Sequence, residues 1–276
     1  MGNKFEATLI NLTPILVSLL FGMFCAFLLL TSSVEIYGIT PFPEGVAGAF
    51  GNAFYFVILV GVGATLIYLL LKRKSRKLIA WITGFALTTA VFMLSIIYIF
   101  AAFSRFAIPS MEVLTLTLSL FITALADYAI FRKHSKICDL VVLFLGGALG
   151  TFLGFSIPTL SAILILGFLA VYDVFAVYHG PVGKIARSGL DQLRGLSFSF
   201  RDIQMGLGDL TFYSMLSGHM FINFGFISCL ASIIGISFGC LLAFKMLEKK
   251  GMFPGLPLPV LFGLMAGLLV SASVWL

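Results

Sequence analysis

Long apolar runs alternate with short polar or charged stretches along this chain. A helix needs roughly 20 apolar residues to cross a hydrocarbon core of about 30 Å. Charged clusters, prolines and glycines divide the chain into runs of about that length. The pattern predicts nine transmembrane helices, at about 9–30, 50–71, 78–103, 111–131, 138–156, 159–179, 203–218, 221–247 and 257–276.

The composition favours lipid over water as the surrounding solvent. Hydrophobic residues make up 61% of the 276 positions and charged residues only 10%, against about 25% charged in an average soluble domain. Backbone amides in lipid must be satisfied within their own segment, which favours α-helices. We therefore predict an all-α membrane protein that forms a single polytopic domain over residues 1–276.

The basic residues predict the orientation of these helices. Sixteen of the 17 lie at the N-terminus or after spans two, four, six and eight, and Arg105 alone lies on the opposite side. Cytoplasmic loops carry the excess of Lys and Arg, so the N-terminus is predicted to be cytoplasmic and the C-terminus extracytoplasmic. Because the clusters lie between apolar spans, we expect no nucleic-acid partner.

Two acidic residues, Asp173 and Asp209, fall well inside predicted spans. The other nine lie in loops or near span ends, where they can reach water or, for Asp127 and Asp139, the basic cluster that includes Arg132. An ionisable group inside a span costs at least a few kcal/mol, so it is a functional candidate by default.

The same two aspartates are predicted to lie at equal depth. Asp173 precedes Gly180 by seven residues, and Asp209 follows Asp202 by seven, so helical geometry puts both about 10 Å from the cytoplasmic face. Two carboxyls face to face cannot both ionise cheaply, so one holds a proton while the other acts as a base. Aspartic proteases use such a pair to activate water. The plain alternative is that each aspartate merely bonds a polar neighbour across the bundle.

Two further elements accompany the aspartates. Gly206 and Gly208 precede Asp209, and each weakens a helix by about 1 kcal/mol relative to Ala, so the backbone there could receive an extended substrate strand. The last span opens with prolines at 254, 257 and 259, which lack amide donors. Taken singly, the glycines are also typical of helix packing and the prolines of helix initiation.

Together these elements resemble the presenilin and signal peptide peptidase family of intramembrane proteases, in its archaeal presenilin-like branch. The resemblance extends over the whole nine-helix layout. Its motifs YD, GxGD and PAL correspond to Tyr172-Asp173, Gly206-Leu207-Gly208-Asp209 and Pro254-Gly255-Leu256. Gly255 replaces the alanine of the PAL motif, which keeps the backbone path but removes a methyl group that could help to position substrate.

The resemblance implies an intramembrane aspartic endopeptidase that cleaves transmembrane proteins or peptides in the lipid bilayer. Water would be held between Asp173 and Asp209, without a metal or an organic cofactor. The resemblance also implies substrates with an outside N-terminus, no obligatory partner subunits and an archaeal plasma membrane. Helices 1–5, in about 1–157, would precede a catalytic portion in about 158–276. The implied substrate-binding residues are Tyr172, Gly206, Leu207, Gly208, Pro254, Gly255, Leu256 and Pro257.

Other functions have weaker support in the sequence. A cation channel or transporter could use the same two aspartates, although no inverted repeat is visible. A metalloprotease is disfavoured because His134, His179 and His219 occur singly, at loops or span ends, without HExxH spacing. A rhomboid-like serine protease is disfavoured because its GxSG-type turn is incomplete here: the nearest string, Leu216-Ser217-Gly218-His219, lacks the first glycine. Prepilin peptidases usually have Lys two residues after GxGD, where this chain has Thr211.

Repeated glycines predict close helix packing. They recur every four residues in spans five, eight and nine, a spacing that lets helix backbones approach each other. The positions are Gly146, Gly150, Gly154, Gly235, Gly239, Gly263 and Gly267.

The connection after span six is the longest of the predicted cytoplasmic loops. It mixes apolar side chains with charges, which predicts a segment lying on the membrane surface. A flexible lid is the alternative. The apolar residues are Leu190, Leu193, Leu196, Phe198 and Phe200.

Overall fold

The computed structural model describes residues 7–34, 38–73, 75–106, 109–132, 135–180, 195–200 and 203–275. Within these ranges the chain forms nine α-helices of 18 to 28 residues. A short 3₁₀ helix, Leu9–Leu12, precedes the first of them. The α-helices are α1 (Thr13–Leu30), α2 (Val46–Lys72), α3 (Arg76–Phe103), α4 (Met111–Arg132), α5 (Ser135–Ser156), α6 (Thr159–Tyr178), α7 (Leu207–Phe224), α8 (Phe226–Lys250) and α9 (Pro257–Trp275).

Seven segments of the described residues are long and apolar enough to cross a membrane. One of them, Leu207–Lys250, contains both α7 and α8, and the apolar stretch of α9 is shorter. Large apolar side chains on the outside of the bundle, such as Trp81 (77% exposed) and Phe85 (76% exposed), have lipid as their natural solvent. The predicted helical, multi-pass membrane fold is therefore confirmed, whereas nine crossings and their orientation are not established by these features.

A two-stranded antiparallel hairpin lies between α6 and α7. It consists of β1 (Ser197–Phe200) and β2 (Ile203–Gly206). The N–H of Leu207 extends the ladder by donating to the carbonyl of Leu196 at 2.8 Å. The strand β2 therefore runs directly into the first turn of α7.

Helix α7 forms the centre of the bundle, where it packs against α5. Three glycines of α5, namely Gly146, Gly150 and Gly154, face it: a Cβ added at Gly154 would lie 2.6 Å from the carbonyl oxygen of Met215, and one added at Gly146 would lie 2.7 Å from the Cβ of Leu210. The glycine repeat of the fifth span therefore packs as predicted, because only glycine permits this distance between the helix backbones.

Helices α8 and α9 pack in the same way. A Cβ added at Gly263 would lie 2.6 Å from Cγ1 of Ile236 and 2.8 Å from Cδ2 of Leu216. This confirms the packing interpretation of the glycines in spans eight and nine, and it joins the C-terminal helix to both α7 and α8.

The predicted seventh span, 203–218, was wrong at both ends. Residues 203–206 form β2, because Ile203 and Met205 are buried on one face of an extended strand that pairs with β1. The helix then continues past Gly218, which lies against Thr151 of α5, and ends at Phe224, with Gly225 as the residue that caps it. Gly225 has a φ of 87°, a left-handed conformation that favours glycine and lets the chain reverse into α8.

The connection between α6 and α7 was also predicted incorrectly in part. Phe198, assigned to the membrane surface, is 2% exposed and belongs to the protein core. Leu196 packs against Ile79 of α3. Leu190 and Leu193 lie outside the described residues.

Histidine 219 lies in the interior of α7, not at a span end as expected. Its side chain is buried, with Nδ1 2.8 Å from the carbonyl oxygen of Gly154 and Nε2 3.2 Å from the hydroxyl of Thr159. The imidazole is therefore a satisfied polar group that joins three helices. His134 lies outside the described residues.

Two acidic side chains outside the predicted pair bond to neighbouring elements. The hydroxyl of Thr88 on α3 donates to the carboxylate of Asp127 on α4 at 2.9 Å. The N–H of Ser199 on β1 donates to the carboxylate of Asp139 on α5 at 3.2 Å. The second bond attaches the hairpin to the bundle.

We predict that Gly154→Ala destabilises the protein. The added methyl would meet the backbone of α7, which cannot move independently, and such overpacking costs about 1–3 kcal/mol. Thermal unfolding in detergent should show a lower midpoint. The matched control is Gly167→Ala on α6, where a Cβ meets no atom within 4 Å among the described residues. An equal response of the two variants would contradict the packing argument.

Candidate active site

Asp173 lies on α6, on a helix that borders lipid. Its neighbours Val171 and Phe175 are exposed on the outside of the bundle, whereas Asp173 is half-buried. The carboxylate oxygen Oδ2 accepts the backbone N–H of Leu256 at 2.9 Å. The Asp173 side chain is thereby connected to the segment that precedes α9.

Asp209 lies in the first turn of α7. Gly206 caps this helix, so Asp209 occupies the third helical position. Its carboxylate interacts with the backbone N–H of Gly206, as the acidic residue of a capping box does. The partial positive charge of the helix N-terminus also favours an acidic side chain here. The strand-to-helix junction therefore determines where this carboxyl points.

The segment between α8 and α9 lies against both carboxyls. Helix α8 ends at Lys250 and is followed by Gly251, which has a φ of 71°, and α9 begins at Pro257. A Cβ added at Gly255 would lie 3.0 Å from Oδ2 and 3.2 Å from Oδ1 of Asp209. The methyl group that Gly255 lacks would face Asp209 itself, a consequence that the sequence did not indicate.

Asp173 and Asp209 thus converge on two consecutive residues, Gly255 and Leu256. The carboxyls are close enough to interact electrostatically. The depth calculation was wrong in its details, because residues 203–206 are extended and Asp209 lies at a helix start. The predicted outcome, two neighbouring carboxyls on α6 and α7, is nevertheless what the structure contains.

The other predicted site residues divide into two groups. Gly206, Leu207, Pro254 and Pro257 adjoin the two carboxyls in sequence or through the α8–α9 segment, and Gly208 is exposed beside Asp209. The second group consists of Tyr172, whose ring lies beside α2. A Cβ added at Gly61 of α2 would lie 3.3 Å from its hydroxyl oxygen, so the Tyr172 ring packs towards α2.

Sequence reasoning missed Tyr213. This side chain is 1% exposed, and its hydroxyl donates to the carbonyl of Gly255 at 2.8 Å. The available signal was its position four residues after Asp209, which puts both side chains on one face of α7. Aromatic residues are so frequent in this chain, however, that the spacing alone did not distinguish it.

A cavity of about 290 Å³ opens beside Asp209. Its walls come from α6, β2, α7, α8 and the α8–α9 segment, and most of its lining side chains are apolar. The lining residues are Val177, Ile203, Gln204, Met205, Asp209, Tyr213, Cys240, Ala243, Phe244, Leu247, Gly251, Met252, Phe253, Pro254 and Gly255.

Known proteins share both sequence and fold with this chain. Residues 16–191 match the family model described as signal-peptide peptidase, presenilin aspartyl protease. The match includes Asp173 and ends before Asp209. No curated protein matches the chain.

Two solved structures of a presenilin family intramembrane aspartate protease, in space groups P2 and C222, have a similar fold. The first is 21% identical, with a TM-score of 0.67, and the match covers 96% of this chain and 98% of that one. The second is 18% identical, with a TM-score of 0.64, and the match covers 95% and 99% of the two chains.

Proposed function

Because this chain belongs to the signal-peptide peptidase and presenilin family of aspartyl proteases, we propose that Asp173 and Asp209 are its catalytic pair. Family membership supports the first of the two functions considered from the sequence: the protein is an intramembrane aspartic endopeptidase. The observation that carries the assignment of residues is the convergence of both carboxyls on Gly255 and Leu256.

The proposed reaction needs one proton shared by two carboxyls. Adjacent carboxyls do not both ionise at low cost. The ionised member takes a proton from a water molecule, whose oxygen attacks the scissile carbonyl carbon, while the protonated member donates to the carbonyl oxygen. Collapse of the resulting tetrahedral diol breaks the C–N bond, and the departing nitrogen takes up a proton. The products are a carboxylic acid and an amine, so the reaction consumes one water and needs no metal.

An extended substrate segment fits this site better than a helical one. A helix hides its carbonyls inside its own hydrogen bonds, so cleavage requires unwound backbone. Strand β2 leads directly to Asp209. On the other strand, β1, the N–H of Ser199 already donates to Asp139. We therefore expect the substrate to lie along β2, between the hairpin and the Pro254–Pro257 segment.

The cavity beside Asp209 suits an apolar substrate side chain. Alternate side chains of a strand point to the same side, so one residue of a substrate aligned with β2 would enter it. The apolar walls supplied by Ile203, Met205 and Phe244 would disfavour a charged group, which loses its hydration on entry.

The finer features of the membrane arrangement belong to the same proposal. Nine crossings with a cytoplasmic N-terminus remain part of this proposal, and an even number of crossings from the N-terminal segment to the end of α8 is supported by the bond from the Ala7 amide to the carboxylate of Glu248, at 3.2 Å. This contact requires the N-terminal segment and the end of α8 to share one side. Activity without partner subunits, substrates with an outside N-terminus and an archaeal plasma membrane stay predictions.

The catalytic pair is tested by Asp173→Asn and Asp209→Asn. Each variant should lower the cleavage rate of a single-span substrate by about 10³-fold or more, because each removes one half of the acid–base pair. Purified protein in lipid, analysed by mass spectrometry of the fragments with and without an aspartyl-protease transition-state inhibitor, gives the measurement. Asp127→Asn is the matched control and should cleave normally. Cleavage retained by either Asp173→Asn or Asp209→Asn would contradict the proposed mechanism.

The cavity predicts a substrate preference. In a series of substrates that differ at one position near the cut, those with Leu or Phe in the cavity should exceed the Asp substrate in kcat/KM by about tenfold or more. Ala243→Phe would fill part of the cavity, so it should slow cleavage of the Phe substrate more than that of an Ala substrate. Equal slowing of both would show that the cavity does not receive substrate.

The orientation predicts opposite labelling of two engineered cysteines. The four native cysteines are buried, so a membrane-impermeant thiol reagent should report only the new ones. Ser110→Cys, between α3 and α4, should react in intact cells, whereas Lys249→Cys, at the end of α8, should react only after permeabilisation. The reverse result would invert the topology, and reaction of both in intact cells would exclude an odd number of spans between them.

A further inference from the structure

The two polar ends of one peptide group bond to two different helices. The carbonyl of Gly255 accepts the hydroxyl proton of Tyr213 on α7 at 2.8 Å. The N–H of Leu256, which belongs to the same peptide bond, donates to Oδ2 of Asp173 on α6 at 2.9 Å. A continuous chain of hydrogen bonds therefore leads from Tyr213 through this peptide group to Asp173.

We propose that Tyr213 is a positioning residue that acts on Asp173 through the Gly255–Leu256 peptide. A peptide group is planar, so its carbonyl and N–H turn together. Fixing the Gly255 carbonyl on Tyr213 therefore fixes the direction in which the Leu256 N–H meets Asp173. A donor on the carbonyl also polarises the peptide and strengthens its N–H as a donor. This inference rests on the proposed catalytic role of Asp173.

The local backbone explains why a side chain must hold this peptide. Residues 252–256 lie between α8 and α9 without regular structure. Pro254 and Pro257 on either side carry no amide proton, so neither can help to hold the segment through an N–H bond. Among the described residues, the hydrogen bonds of the Gly255 carbonyl with Tyr213 and of the Leu256 N–H with Asp173 therefore orient the peptide plane.

The position of Tyr213 makes its hydroxyl specific for this task. The ring is buried on α7, which packs tightly against α5 through glycines, so the hydroxyl has little freedom to move. Asp209 lies four residues earlier on the same helix. Tyr213 therefore holds the peptide at a defined distance from α7, which carries Asp209, while the N–H of the same peptide holds Asp173.

A second tyrosine provides a matched control. Tyr98 on α3 donates its hydroxyl to the carbonyl of Ala148 on α5 at 2.7 Å. Each of the two tyrosines also lies beside a buried cysteine, Cys25 for Tyr98 and Cys240 for Tyr213. The two hydroxyls thus have the same kind of partners, but only that of Tyr213 leads to a catalytic carboxyl.

The experiment compares Tyr213→Phe with Tyr98→Phe in the full chain. We expect Tyr213→Phe to lower kcat by about tenfold to a hundredfold, as expected for a catalytic group displaced by a fraction of an ångström, with KM within twofold of the wild-type value. Tyr98→Phe should lower the unfolding midpoint similarly and leave kcat within twofold. Unchanged kcat in Tyr213→Phe, an effect on KM alone, or equal losses of kcat in both variants would overturn the proposal.

Two further measurements extend the test, and the first applies even if Tyr213→Phe is unstable. Replacing Tyr213 with para-aminophenylalanine keeps the ring and a para donor, so kcat should recover to within about fivefold of the wild-type value. A kcat as low as that of the phenylalanine variant would refute donation by the hydroxyl. The second measurement is the affinity of the single and double variants for a transition-state inhibitor. The double variant should lose little more affinity than Asp173→Asn alone, because Tyr213 is proposed to act through Asp173. Additive losses would contradict the linkage.

Failure of this inference is distinguishable from failure of the proposed function. Cleavage by Asp173→Asn would remove the catalytic assignment altogether. Full activity of Tyr213→Phe together with an inactive Asp173→Asn would leave the catalytic pair intact and refute only the role of Tyr213.

Discussion

The peptide group between Gly255 and Leu256 connects three parts of the bundle. Its amide bonds to Asp173 on α6, its carbonyl bonds to Tyr213 on α7, and its own chain continues into α9. Gly255 also lies directly against the carboxyl of Asp209, at a distance that leaves little room for a methyl group. The mutual position of the two carboxyls therefore depends on a short irregular segment as well as on the helices that carry them.

The two helices differ in how firmly the bundle holds them. Helix α7 is buried over most of its length, up to Met220, and backbone contacts with glycines of α5 leave it almost no space to shift. Helix α6 borders lipid at Val171 and Phe175 and has α2 on another side. Asp209 is thus carried by a rigid central element and Asp173 by a peripheral one. A bond from the α8–α9 segment to Asp173 compensates for this difference, because it ties the peripheral carboxyl to the centre.

Irregular backbone in a membrane protein needs partners within the protein. Unpaired amide groups in hydrocarbon cost several kcal/mol each. Here the hairpin satisfies part of this requirement by pairing β1 with β2, and Asp139 accepts the amide of Ser199. A protease that cleaves unwound segments inside a membrane must meet the same requirement for its substrate. The placement of a strand immediately before Asp209 is consistent with that need, because a strand can offer backbone partners to another extended segment.

The sequence alone predicted the class of fold, most helix positions and the two aspartates, because these depend on local composition. Long apolar runs, the chemical cost of an acid inside them and glycines at four-residue spacing can all be read without knowing which helices meet. It could not predict that residues 203–206 are extended, since Ile203 and Met205 suit a buried strand as well as a helix and pairing with β1 decides between them.

Only the tertiary structure determined that Tyr213 reaches Gly255, that Tyr172 packs towards α2 and that the methyl missing at Gly255 would face Asp209. These facts depend on how helices rotate and approach each other, and the packing of residues far apart in the chain sets those rotations.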